Sequence, residues 1–196
     1  MWQTATRTFL ACLTGSIIVS AHAQSISPLP ETGLWEVEST TLINGQDLMA
    51  AIRETRRAML EQIPEEQRAI MEAMMQEDDD DNAYDCITEA DAANFRRPEA
   101  LINELQQDMP GCTIALTESG GNRLAFAGTC ADADGFTGDM QGEIVMVSAR
   151  EMRHSISGTG TLDTPAEELP PSMQGMSGNV ETQHTEVARW VAADCR

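Results

Sequence analysis

Apolar and polar positions alternate with period two over residues 33–42, where Trp35 and Val37 share one face and Glu36 and Glu38 the other. This alternation predicts a strand, closed by the turn pair Asn44-Gly45. The period then lengthens. Asp47 reads as a helix N-cap. Residues 48–62 form a helical pattern, with Ile52, Met59 and Ile63 along one stripe. Pro64 opens a second helix, where a first-turn proline is tolerated and Glu65 and Glu66 meet the positive end of the dipole. Its apolar face carries Ile70, Met71, Met74 and Met75. The two make a helical hairpin inserted over residues 47–76. Residues 77–85 read as an acidic linker, because the carboxylates from Glu77 to Asp81 repel one another and cannot pack.

Thr88 and Asp91 then start a short helix with a capping-box pattern, and Pro98 opens another that Pro110-Gly111 ends. From Cys112 the period returns to two. Strands are predicted over residues 112–117, 123–129, 142–148, 152–162 and 179–191, with a polar turn over 132–138 and a Pro/Gly/Ser/Met loop over 164–178. No solenoid repeat is present. The predicted fold class is α+β: an antiparallel curved sheet or half-barrel of about six strands. A helical hairpin follows strand one, and two short helices precede the main meander.

The N-terminus has a different pattern. One arginine precedes an apolar run over residues 8–20, and Ala21-His22-Ala23 supplies an A-x-A cleavage site. Residues 1–23 are read as a signal peptide cleaved after Ala23, leaving residues 24–196 as a single domain. The run is too short to span a bilayer. No second long apolar run follows, so no transmembrane segment is expected in the mature chain. The expected location is periplasmic or secreted.

Charge narrows the partners. Among 196 residues, 32 are Asp or Glu and 12 are basic, all of them Arg, for a net charge of −20. Such a balance excludes nucleic-acid backbone binding and polybasic adhesion to anionic membranes. The acidity is uneven: residues 61–91 hold twelve acids and one base. The acidic insert and the sheet are therefore physically different parts.

Removal of the signal leaves four cysteines, Cys86, Cys112, Cys130 and Cys195. An even number in an exported chain reads as two disulfides, with three possible connectivities. Cys112 and Cys130 flank a hairpin whose turn is Ser119-Gly120-Gly121-Asn122, so folding about Gly121 sets them opposite each other. That pairing leaves Cys86 for Cys195.

Several of these features occur together in one known family. They are the signal peptide, Gly33-Leu34-Trp35-Glu36-Val37, the Met- and Glu-rich insert, Cys86-Ile87-Thr88-Glu89-Ala90-Asp91, the hairpin from Cys112 to Cys130, and the closing Ala188-Arg189-Trp190-Val191-Ala192-Ala193-Asp194-Cys195. The chain resembles the exported proteobacterial family known as domain of unknown function 3617. It departs from the family pattern at Glu89, where Pro is usual. The resemblance covers nearly all of the mature chain. It implies an exported single domain with a four-cysteine framework, and it transfers no catalytic residue.

Candidate chemistry is sparse. Met59, Met71, Met74 and Met75 could form a ligand or partner surface, or hold Cu(I) through thioethers, but methionine at helical spacing also fills cores. Asp132-Ala133-Asp134-Gly135 resembles part of a Ca²⁺ loop, yet it fails the EF-hand pattern at the first and twelfth positions, Cys130 and Gln141. His154 and His184 fall in predicted strands and approach each other if those strands pair. Arg53, Arg56 and Arg57 cluster on the first helix and suit either an anionic head group or the acids of the second helix. No nucleophile elbow, dinucleotide fingerprint or P-loop occurs. The expectation is a non-catalytic protein without cofactor that binds an apolar small molecule on the sheet, or an envelope protein partner through the Met-rich hairpin. The competing class is a metal-binding envelope protein using methionines or carboxylates.

Overall fold

Eight strands form one sheet in which every pairing is antiparallel. The computed structural model describes residues 25–75, 82–133 and 135–195. The expected signal peptide and the run from Glu77 to Asp81 lie outside them. In chain order the elements are β1 (Gly33–Ile43), β2 (Gln46–Asp47), α1 (Leu48–Glu61), α2 (Glu65–Met75), β3 (Asn82–Ile87), α3 (Glu89–Asn94), α4 (Pro98–Asp108), β4 (Cys112–Gly120), β5 (Arg123–Ala133), β6 (Phe136–Ser148), β7 (Glu151–Leu162) and β8 (Gly178–Ala192). The strand order is β2-β1-β8-β7-β6-β5-β4, with β3 also on β1. The path is open, because none of these pairings joins β4 to β1, β2 or β3.

The strand count exceeds the expected six through two elements. After the turn at Asn44 and Gly45, both at positive φ, β2 doubles back on the end of β1. β3 begins at Asn82, inside the stretch expected to be linker, and pairs with the first half of β1 from Gly33↔Ile87 to Glu38↔Asn82. Its own residues, NAYDCI, carry little alternation. The partner strand supplies the order that the local pattern lacks.

The helix signals act as their chemistry predicts. The Asp47 side chain accepts from the Ala50 amide at 2.8 Å. Thr88 and Asp91 form a reciprocal capping box. Arg68 of α2 donates to the carbonyls of Leu60 and Ile63 at 3.1 and 3.3 Å, tying the turn between α1 and α2. The helical insert also gains a partner from far along the chain. Thr55 on α1 meets Ser172 at 2.7 Å, and Ser172 donates to the Ala51 carbonyl. Ser172 belongs to a 3₁₀ turn, Pro171–Met176, inside the expected loop.

One sheet face is apolar and covered. Leu124, Phe126, Met140 and Met146 from β5 and β6 pack with Ile114, with Phe95 and Ile102 from the helical segment, and with Ile26 from the N-terminal segment. A second cluster joins Trp35, Ile87, Ala92 and Ala188. Trp35 is fully buried, and its indole N–H donates to the Glu31 carbonyl at 2.9 Å. Disulfides join Cys112 to Cys130 and Cys86 to Cys195. The first links register partners on β4 and β5. The second ties β3 to the segment after β8 across 109 residues of sequence.

Gly33 is required where β1 meets the end of β8. Its φ is +129°, and a β-carbon there would lie 2.1 Å from the Ala192 carbonyl oxygen. Gly33→Ala is expected to cost about 2–4 kcal/mol from backbone strain and displacement of β8. Urea unfolding reads this directly, and an unchanged midpoint would refute the constraint. Replacing Cys86 and Cys195 together by Ser is expected to lower stability by about 4 kcal/mol on the chain-entropy account. A loss under about 1 kcal/mol would show that the large loop is already closed by strand pairing alone.

Candidate functional site

α4 ends at Asp108, and the chain turns through Met109, Pro110 and Gly111 into β4. β4 ends the strand path, and the turn is tied to β5 by the Ala131 amide, which donates to the Gly111 carbonyl at 2.8 Å. Gln106 fixes the geometry. Its side-chain oxygen accepts from the Ile114 amide at 2.9 Å, and its amide nitrogen donates to the Cys112 carbonyl. The side chain thus acts as a strand neighbour for the exposed edge.

A pocket of about 310 Å³ opens beneath this turn. Its walls are Met109, the Cys112–Cys130 disulfide, Phe136, Met140 and Ile156, and its only polar side chains are Asp108 and Thr182. The floor depends on glycine. Gly138, Gly158 and Gly160 lie under the Phe136 ring, where a β-carbon at Gly160 would come within 2.9 Å of it. Side chains at these three positions would collide with the Phe136 ring edge. A larger hollow of about 570 Å³ on the opposite face is lined by polar side chains, including Gln141, Ser155 and Gln183. Its one cation, Arg123, is engaged by Glu118 and Glu143, each at 2.6 Å.

Further along the apolar face, pairing of β7 with β8 brings His154 and His184 together, with ring centroids 6.4 Å apart. Glu186 receives both: His154 Nδ1 lies 3.3 Å from one carboxylate oxygen and His184 Nε2 lies 3.1 Å from the other. The hydrogen bond from His154, followed by that from His184, outweighs half-burial and holds the Glu186 carboxyl at about 2. His184 is satisfied on its other side by the Thr41 hydroxyl at 2.8 Å, whereas His154 Nε2 is buried with no partner. Thr41, His184 and Glu186 follow the hydroxyl–imidazole–carboxylate order of a nucleophilic triad. None of these three residues lines either of the two hollows described above. The cluster stands as a half-buried polar network.

Of the four methionines singled out in the sequence, two have described side chains. Met59 on α1 is 54% exposed and lines a shallow groove with Ile52, Thr55, Arg56 and Met173. Met71 on α2 is half-buried. The side chains of Met74 and Met75 lie outside the described residues. The sequence reading anticipated the approach of the two histidines. It missed Glu186, although Glu186 shares the strand face of His184 two residues away, and it missed Asp108 and Phe136, whose roles depend on where α4 crosses the sheet.

The fold and pocket define a disulfide-tied α+β protein built on an open antiparallel sheet, with an apolar hollow under its covering helix. A family described as protein of unknown function (DUF3617) matches residues 30–195, and the chain belongs to it. An uncharacterized protein in the lpd-3 5' region of Pseudomonas putida is 29% identical over 150 residues, covering 73% of this chain and 92% of its own length. No solved structure matches.

The Glu186 network makes stability depend on acid. A carboxyl depressed in the folded state stabilises fully above its unfolded value of about 4.5, and that contribution disappears as pH falls toward about 2. The contribution is on the order of 1–2 kcal/mol after allowance for partial solvent screening. Glu186→Gln is therefore expected to flatten the loss of stability between pH 5 and pH 2 relative to the parent (urea unfolding at several pH values). Parallel pH curves for the two proteins would disprove the assignment.

Proposed function

We propose that this protein is an exported binding module that holds an apolar small molecule in the pocket under the end of α4, and that it acts by binding rather than by catalysis. The observation that carries this reading is the pocket: about 310 Å³, roughly twice the ~150 Å³ cavity that accepts benzene, and walled almost wholly by apolar groups. A sheet curled as a half-barrel around α4 would keep such a hollow open while β4 to β7 remain packed. The lining supports a non-catalytic role, since Asp108 and Thr182 are its only polar side chains. Export is supported by the pattern of residues 1–23 and by two disulfides, which persist in oxidising compartments. Among the described residues no helix is long and apolar enough to cross a membrane.

A second reading, docking of an envelope protein on α1, draws on the exposed Met59 and its groove with Met173. A metal-binding role has less support. Among the described residues no group of three His, Cys, Asp or Glu is placed to hold an ion, and Met59 and Met71 sit on different helices.

The test uses the neutral apolar dye N-phenyl-1-naphthylamine. The parent protein is expected to bind it with enhanced fluorescence. Ala133→Phe, which fills the pocket, should weaken binding at least about tenfold while unfolding stays cooperative. Met109→Trp fills the same space from the rim and serves if the first variant folds poorly. Binding unchanged in both variants would place the dye elsewhere and overturn the reading.

A further inference from the structure

The pocket mouth is electrostatically one-sided. Asp108 lines it and is exposed. It is also the last residue of α4, so the negative end of the helix dipole lies beside the same opening. Helices commonly offset that end with Lys, Arg or His, and α4 has no basic residue in its last turn. No lining side chain is basic. On the other side of the same strands, Asp139 and Glu181 line an adjoining hollow that also lacks a base. The chain as a whole carries −20. A carboxylate or phosphate head group would enter this opening against Asp108, the helix end and the net charge of the chain. A positive head group would meet the helix end and Asp108 together.

We propose that the pocket selects a cationic amphiphile, with its apolar part against Phe136, Met140 and the Cys112–Cys130 disulfide and its positive head between Asp108 and the C-terminal end of α4. This rests on the binding reading above and adds the chemical class of the ligand. Thr182, the remaining polar side chain, carries no charge and does not alter the preference.

Three probes of equal chain length separate the terms: decyltrimethylammonium, 1-decanol and decanoate, each titrated by calorimetry below its aggregation threshold. The cation is expected to bind about tenfold more tightly than decanoate at low salt, with decanol between them, and the gap should narrow as salt screens the head group. Asp108→Asn should weaken the cation about threefold and leave decanol unchanged. Equal affinity for all three, or an unaltered cation affinity in Asp108→Asn, would overturn the charge preference while the pocket reading stands. Tighter binding of decanoate would overturn the preference in sign. Binding of none would remove the pocket reading together with it.

Discussion

A sheet of eight strands with one apolar face must cover that face, and among the described residues short helices do so. α3, α4 and the segment containing Ile26 pack on its two apolar clusters, and α1 packs on β1. α4 spans eleven residues, about 16 Å, whereas β6 and β8 run to thirteen and fifteen residues, more than 40 Å when extended. The shortfall shapes the molecule. Where the helix and its exit turn stop short of the strands, Phe136 and the core residue Met140 border an opening. Toward β8 the same face becomes polar, and Thr41, His154, His184 and Glu186 satisfy one another almost completely.

Charge follows the same division. On the opposite sheet face the cations are engaged locally, Arg123 by Glu118 and Glu143, and Arg189 by Glu38. Arg150 stacks 4.4 Å over Trp190 and also meets Glu31 at 2.9 Å. These exposed pairs add little stability individually, but they occupy the arginines. The excess of acid is concentrated over residues 61–91, which hold twelve acids and one base, and the chain as a whole carries −20.

Much of the local structure was legible in the sequence. Alternation located β1, β7 and β8, and the Gly120-Gly121 turn located the β4–β5 hairpin with its cysteine pair in register. Asp47, Pro64 and Thr88 marked helix starts, because each acts on backbone groups within one turn of itself. β2 and β3 were not legible: one has two residues, and the other alternates weakly and is ordered by β1. The site was legible only in fragments. His154 and His184 stood out as the two histidines beyond residue 23, but Glu186 was one acid among many until register placed it between them.

The sequence by itself determined the class of fold, the strand faces, the helix caps and the sign of the surface, since these depend on residue type and on neighbours a few positions away. Tertiary structure alone decided the pocket. Asp108, Phe136, Ile156 and Thr182 are far apart along the chain and share no pattern. They meet because strand order sets β6, β7 and β8 side by side and α4 ends above them. The net acidity is legible from composition. Its presence at the mouth of an apolar hollow, where it selects a ligand's charge, depends on the crossing of one helix over one sheet.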